Sequence, residues 1–519
     1  LLTEAQTAFP NNPIIPMYLG ELVAWNFDKT QPENAPAWAT YQRELLEKLT
    51  SIIDYWVDVR QASDGQFGGG WGDDVEVWRR WTPVLLAFES EKANAGQRLL
   101  SEGIFDLPRM AGGYTNIMTD VEHSSEDSAD SVTPMLHLAP NDPVWQERAR
   151  AIGTLMANKW TGTNDRGFLQ FQSTYFTSDA VSTNNDYACD TSYHTRAMQP
   201  TLLLWQRTQE PELTSLFSGW MDMWVDVTAQ EANGKASGVL PSGVHFPSGL
   251  PGGPDNVWWN PVCHYTNKTF KYPRAISGLA RSLLLTWHIT GNDSYMQPIL
   301  SMLEMRQAYE ADATGSDEEG SAMWAASQTR GILQDVLGKY RLLSGLSSFD
   351  DYLLTNADPY VRYRLTQDIS VLEEALNSNL RSLQFNEAAF KEEVRFTDRV
   401  FKFHAGFANL YIEENVPNLN ADLLYSMLTG DFGDASYLPL NAIKWKTEPT
   451  NFAALVQSHS TENLDAQIYH FGTEPRTVGV EFFILEPGTY PWSLSCNNRD
   501  MATGTFERTA QNNLTVELP

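Results

Sequence analysis

Four stretches of the chain concentrate side chains that can move protons or hold charge. The first, Asp64 to Trp81, reads DGQFGGGWGDDVEVWRRW, five glycines leading into Trp71, Asp73, Asp74, Glu76 and Arg79. Glycine opens backbone conformations closed to other residues. Asp73, with Glu76 three residues on, also has the form of a capping box at a helix start. A cap alone has no use for the adjoining indole and second acid. An aromatic, acidic rim suits a sugar cleft, because indole stacks on C–H-rich sugar faces and carboxylates accept from hydroxyls. Trp71, Asp73, Asp74, Glu76 and Arg79 are therefore candidate substrate contacts.

The second stretch holds Asp120, Glu122, His123, Glu126, Asp127 and Asp130. Offsets of three, seven and ten from Asp120 put His123, Asp127 and Asp130 on one helical face. Like charges so placed disfavour an isolated helix, so solvent, a cation or basic partners must offset them. Asp120, Asp127 and Asp130 are the candidate ligands of a divalent cation such as calcium, which takes carboxylate oxygens. A solvated acidic face is the alternative. His123 is a candidate substrate contact, and acids close to it would raise its pKa.

The third stretch is NNDYACDTSYHTR, Asn184 to Arg196. Asn185 or Asp186 can cap a helix continuing through Met198, Leu202 and Trp205, with Tyr187, Asp190 and His194 on the same stripe. A stripe that begins polar and turns apolar is expected of an inner helix opening into a cleft. The fourth stretch closes a long Pro/Gly loop: His245, then Trp258 and Trp259, then His264, Tyr265, Lys268, Lys271 and Arg274. It is basic and aromatic within an acidic chain, which reads as a lid anchored by tryptophan or as a patch for an anionic substrate. Tyr187, Tyr193, His194, Arg196, His264 and Tyr265 are the candidate catalytic residues. His245, Trp258, Trp259, Lys268, Lys271 and Arg274 are further candidate contacts.

Positioning these groups takes a large scaffold. The chain has 519 residues, more than one ordinary core, and 42% hydrophobic residues supply ample interior. Amphipathic helix is expected at Tyr41–Val59, from Asp74 to about Ser90, and over Tyr114–Val132 with a stop at Pro134. Turns around Pro140, Pro211 and Gly291 then separate helices at Val144–Trp160, Leu213–Val227, about Ala275–Ile289 and Tyr295–Tyr309. Further helices are expected at Ala322–Leu342, Pro359–Leu383 and Asp398–Tyr411. The connections Thr161–Asp186 and Asn233–Lys271 read as long irregular loops, a length usually tied to function. Helix hairpins with long loops on one side predict an α/α toroid for residues 1–440. The β-branched and aromatic runs Ala466–Phe471, Thr477–Leu485 and Leu514–Leu518 predict a small C-terminal β-sandwich over 441–519.

Composition narrows the partners. Thirty-six basic against 65 acidic residues give a net charge of −29, which disfavours nucleic acid and anionic membranes as partners. No apolar run is long enough to span a bilayer. The charge suits an exported protein, secreted or periplasmic. The chain opens at Leu1 without a signal-peptide pattern, which reads as a mature or trimmed chain. Cys189, Cys263 and Cys496 allow one disulfide or three buried thiols. Seventeen tryptophans fit either a helical core or an aromatic cleft.

The helix hairpins, the Trp-rich interior, the Tyr/His/Arg loops and the C-terminal β region together resemble the α/α-toroid carbohydrate-active enzymes. Polysaccharide lyases of the alginate, chondroitin and heparin lyase type are the nearest comparison. The resemblance implies β-elimination on a uronic-acid polymer, with Tyr and His as acid and base. It also implies that Asn, Arg, Glu or a metal neutralises the uronate carboxylate. Neutralisation makes the C5 proton acidic, and the leaving O4 needs a positioned donor. The competing expectations are a glycoside hydrolase with a carboxylate pair in the same cleft, and a glycan-binding protein without catalysis.

Overall fold

The computed structural model describes residues 1–12, 15, 16, 19, 21, 32, 34–263, 270–274, 276–392, 420–497, 499–509 and 513–518. The chain is mainly helical up to Thr429 and forms antiparallel sheets from Ile443 onward. The helices are α1 Leu2–Ala8, α2 Ala37–Tyr55, α3 Trp71–Val75, α4 Trp78–Leu85, α5 Glu91–Phe105, α6 Val121–Leu138, α7 Pro143–Leu155, α8 His194–Thr208 and α9 Pro211–Ala229. They continue as α10 Ile276–Thr290, α11 Gln297–Ala311, α12 Ala322–Gln328, α13 Arg330–Ser344, α14 Asp350–Asn356, α15 Pro359–Thr366, α16 Ser370–Glu392 and α17 Ala421–Thr429. The helix expected at Asp398–Tyr411 lies outside the described residues.

Helices α6, α8, α10 and α13 pack in succession, α4 packs on α17, and α16 packs back on α2. Apolar spacing explains why. Helix α8 buries every residue from His194 to Trp205, and α10 buries all but one from Ile276 to Thr286. Such all-round burial belongs to the interior of a large helical body rather than its surface. Ten tryptophans, among them Trp56, Trp78, Trp81, Trp205 and Trp220, are fully buried, so the indole content serves chiefly as core.

Several boundaries differ from expectation for identifiable reasons. The capping box at Asp73 does not form: α3 starts at Trp71 after Gly70, whose φ of 95° only glycine takes without strain. Asp74, rather than Asp73, is the tie, accepting from the amides of Phe67 (2.7 Å), Gly68 (3.2 Å) and Gly69 (3.0 Å). The long helix expected from Asp74 is two short ones, the second holding Pro83 inside it. Helix α6 starts seven residues later than expected, where the Asp120 side chain accepts from the amides of Glu122 and His123, and it runs through Pro134 to Leu138. Asn184 caps only a short 3-10 turn, Asn185–Tyr187, so Tyr187 and Asp190 precede α8 instead of sharing its stripe.

Two connections read as irregular contain short strands. With β1 Thr119–Asp120 and β5 Cys189–Thr191 outside them, those connections hold β2 Thr161–Thr163, β3 Leu169–Phe171, β4 Tyr175–Phe176 and β6 Gly243–His245, and the pairs are β1–β4, β2–β3 and β5–β6. Two or three residues are too few to leave an alternation signal. A Cys189–Cys263 disulfide ties β5 to the segment after Trp259, and Cys496 is free and exposed.

Beyond Leu440 the strands are β7 Ile443–Lys446, β8 Phe452–His459, β9 Leu464–His470, β10 Arg476–Phe482, β11 Gly488–Cys496, β12 Arg499–Arg508 and β13 Asn513–Leu518. They form a three-stranded sheet ordered β13–β10–β7 and the hairpins β8–β9 and β11–β12. This region docks firmly on the helices. The buried Gln42 side chain donates to the Ala454 carbonyl (2.9 Å) and accepts from its amide (2.8 Å). Trp445 donates its amide to Ala87 and its indole to Leu428. No helix among the described residues is long and apolar enough to cross a membrane.

Candidate functional site

The start of α4, the middle of α6 and the first turn of α8 converge on a polar centre. Helix α4 brings Arg79, α6 brings Glu126 and Asp130, and α8 brings Arg196. Asp130, wholly buried, accepts from Arg79 Nε (2.8 Å) and Nη2 (2.6 Å), from Arg196 Nη2 (2.9 Å) and from the Trp78 indole (3.0 Å). Arg196 Nη2 also donates to Glu76, while its Nη1 stands 3.8 Å from Glu126. Two guanidinium groups thus share three acids, and each buried charge has a partner.

The three acids do not share one environment. Burial would push the Glu76 carboxyl up, but Arg196 and Arg79 outweigh it and hold it down at about 2. Burial also pushes Glu126 up, and here Glu76 and Asp130 add to it against Arg196, leaving it at about 8. These surroundings favour the protonated form of Glu126 and the ionised form of Glu76. Both remain partly exposed, so water and substrate can reach them. Gly72 makes room for this arrangement, since a β-carbon there would stand 2.5 Å from Glu126 Oε2.

Beside this centre lies a cavity of about 330 Å3 lined by Arg79, Arg196, Arg281, Tyr193 and Tyr437, among others. That is near the small end of ligand sites and holds about one sugar ring. Its floor includes Gly278, where a β-carbon would press on Thr195 Oγ1 at 2.8 Å and on the Tyr437 ring at 3.1 Å. Arg281 is held by Asp335 (2.5 Å) and Asp434 (2.7 Å). Burial raises the Tyr193 hydroxyl to about 12, with Glu122 adding to it, so it stays a proton donor at neutral pH.

The sequence candidates separate into groups. Glu76, Arg79, Asp130, Tyr193 and Arg196 meet at this centre. For Arg274 the structure shows a backbone tie, its carbonyl accepting from the Ser192 hydroxyl (3.2 Å), and the Phe270 ring lies 5.4 Å from that of Tyr193. Lys271 pairs with Glu319. His264, Tyr265 and Lys268 lie outside the described residues. Trp71 and Asp73 are partly buried in α3, just after the glycine-rich loop, and Asp74 is the buried anchor of that loop.

His194 sits deeper, fully buried and stacked 4.2 Å from Phe171. Its Nε2 donates to the Ser173 carbonyl (3.0 Å), and Nδ1 meets the Thr191 amide (2.9 Å) and Asp190 (3.0 Å). Both nitrogens are occupied by the protein. Tyr187 stacks on Tyr175 at 3.8 Å, and His245 Nδ1 meets Ser248 at 2.8 Å. Trp258 is core, while Trp259 covers Gly320.

Of the three cation candidates, Asp127 pairs with Arg109 (2.7 Å) and Asp130 with the two arginines. Asp120 holds His123 Nδ1 at 2.9 Å. Among the described residues the group that comes within metal-ligating reach is Asp120, Glu122 and His123. The Asp120 hydrogen bond raises His123 to about 9, against burial.

The sequence places Glu126 in the second stretch without giving it a role, and Arg281, Asp434 and Tyr437 stand outside all four stretches. Arg281 and Asp434 are separated by 153 positions, and no spacing rule joins them. Comparison of the chain with family models, curated proteins and solved structures finds no match.

Proposed function

We propose that this protein is a carbohydrate-active enzyme that cleaves glycosidic bonds in an acidic glycan, using Glu126 as general acid and Glu76 as its ionised partner. The observation that carries the reading is that two part-exposed carboxyls stand against one guanidinium, with Arg196 and Arg79 holding Glu76 down and burial pushing Glu126 up. Two titrating groups driven apart by their surroundings are how one site holds an acid and a base at one pH. Both carboxyls stand against the same guanidinium, which sets an acid and a carboxylate partner in one site as glycoside hydrolysis requires. Protonated Glu126 gives its proton to the glycosidic oxygen. Ionised Glu76 activates water or faces the cationic sugar. The arginine-lined cavity supports a uronate as the bound sugar, since guanidinium groups pair with carboxylates.

A second reading, β-elimination, is favoured by Tyr193, whose ring lines the cavity with three arginines. There the arginines would neutralise the uronate and Tyr193 would protonate the leaving O4. The fold supports either class: α16 packing on α2 brings the ends of the helical region together, as closure of an α/α toroid requires. The disulfide supports an oxidising, exported setting.

The deciding measurement incubates the protein with a panel of uronate and neutral polysaccharides. New reducing ends without near-ultraviolet absorbance indicate hydrolysis. Equal growth of that absorbance indicates elimination. Binding without either product leaves the glycan-binding reading and removes both enzymes.

A further inference from the structure

A second cavity, of about 530 Å3, lies at the other end of α10. Arg281 of that helix lines the first cavity and His288 the second, seven residues or about 10 Å along the axis. Its walls come from the C-terminal ends of α10, α13 and α15 and from the turns after β8 and β10, so the helical body and the C-terminal sheets both contribute. Phe432 and Ile484 give it apolar surface, while Ser460 adds a hydroxyl.

Arg364 is the feature that asks for a ligand. Its guanidinium stands over the rings of Tyr360 (5.8 Å) and Phe432 (5.3 Å) and donates from Nη1 to the Tyr360 hydroxyl at 3.2 Å. Among the described residues no carboxylate lies within ion-pair distance of it. A guanidinium carries five N–H donors, and one is used here. The other arginine of this cavity, Arg341, is already bound to Asp350 at 2.7 Å. His459 meets the Gly430 carbonyl at 2.8 Å and is held neutral, first by burial and then by Arg364, with its pKa at about 4. His288 is likewise pushed down by burial. One uncompensated cation therefore faces a roomy, partly apolar cavity in a chain of net charge −29.

We propose that this cavity is a second binding site, which takes a sugar carboxylate: Arg364 holds the carboxylate of a uronic acid while the aromatic and aliphatic wall meets its C–H face. The planar guanidinium fits a carboxylate through two parallel hydrogen bonds. The neutral imidazole of His288 and the hydroxyl of Ser460 suit sugar hydroxyls. The site lies apart from the acid–base centre, so its role is to hold an acidic glycan rather than cut it.

The test titrates glucuronate, glucose and inorganic sulfate into protein labelled at histidine and follows the His288 and His459 ring signals by NMR. H288Q and H459Q identify those signals. Glucuronate is expected to move both in a saturable way and glucose to leave them in place. Sulfate should bind at least tenfold more weakly than glucuronate. R364Q should weaken glucuronate at least tenfold with an unchanged circular dichroism spectrum, and R364K should recover only part. Ligand in the first cavity would not produce this pattern, because its walls contain neither histidine. No shift with glucuronate, equal shifts with glucose or sulfate, or an unaltered response in folded R364Q and R364K would overturn the proposal.

Discussion

Arg196 Nη2 lies 2.9 Å from Asp130 Oδ2, joining the first turns of α8 to the middle of α6 with both side chains nearly or fully buried. This pair fixes where the two helices meet and sets the same guanidinium against Glu76, through Nη2, and Glu126, through Nη1. Removing Arg196 leaves Asp130 with Arg79 alone and takes a cationic partner from both Glu76 and Glu126. Arg196→Gln should lower stability by about 3–5 kcal/mol, the usual range for breaking a buried pair. Urea unfolding measures it, and adding Asp130→Asn should recover part of the loss, since the two sites are coupled. Additive losses would mean that the pair is not a unit.

Glu126→Gln should reduce turnover by at least about a hundredfold if Glu126 is the acid. In the parent, activity should fall as pH rises through about 8, where Glu126 loses its proton. That limb should vanish in the variant. Stability follows the same group. Its folded pKa is raised, so the protonated form is the one folding prefers, and this contribution is whole below the ordinary carboxyl value and lost as pH rises through about 8. Thermal melts from pH 5 to pH 9 should therefore show a decline that Glu126→Gln flattens.

Gly72→Ala tests position without touching an acid. The new methyl would meet Glu126 Oε2 at 2.5 Å, and that carboxyl end is free to swing away. Folding should survive, with the melting temperature within a few degrees of the parent. Turnover should fall about tenfold or more with KM little changed, because a displaced acid fails in the transition state. A fully active Gly72→Ala would move the acid role off Glu126.

Asp74 holds three successive amides of the glycine-rich loop. Asp74→Ala takes away that acceptor, at about 1–3 kcal/mol for the buried Phe67 amide and less for the amides of Gly68 and Gly69, which water can reach. Asp74→Asn keeps one acceptor oxygen and should be milder. Hydrogen exchange of Phe67, Gly68 and Gly69 should quicken in the order wild type, Asn, Ala.

The Cys189–Cys263 disulfide closes a loop of 74 residues next to the Tyr193 turn. By loop entropy such a bond is worth about 4 kcal/mol. Reduction with dithiothreitol, or Cys189→Ala with Cys263→Ala, should lower the melting temperature by several degrees. The same change should reduce activity, because β5 leads directly into Tyr193 and α8. Equal melting curves with and without reductant would show that the bond carries no stability.

The periodicity of apolar residues was enough to read most helices and the change to strands near Leu440, because each depends on neighbours three, four or two positions away. Leu213–Val227 and Ala275–Ile289 were expected within two residues of α9 and α10 for that reason. The grouping of Arg79 with Glu76, and of Tyr193 with Arg196, was also legible, since each pair lies within one turn. Which carboxylate meets which guanidinium was not. Asp127 and Asp130 share a helix and three residues of spacing, yet one faces Arg109 and the other Arg79 and Arg196. His194 looked reactive beside Tyr193, and the fold buried it behind Phe171. Arg281 and Asp434 had no local signal at all. Local spacing sets the faces of helices, but burial and long-range charge set pKa values, and both arise only when segments distant in sequence pack together.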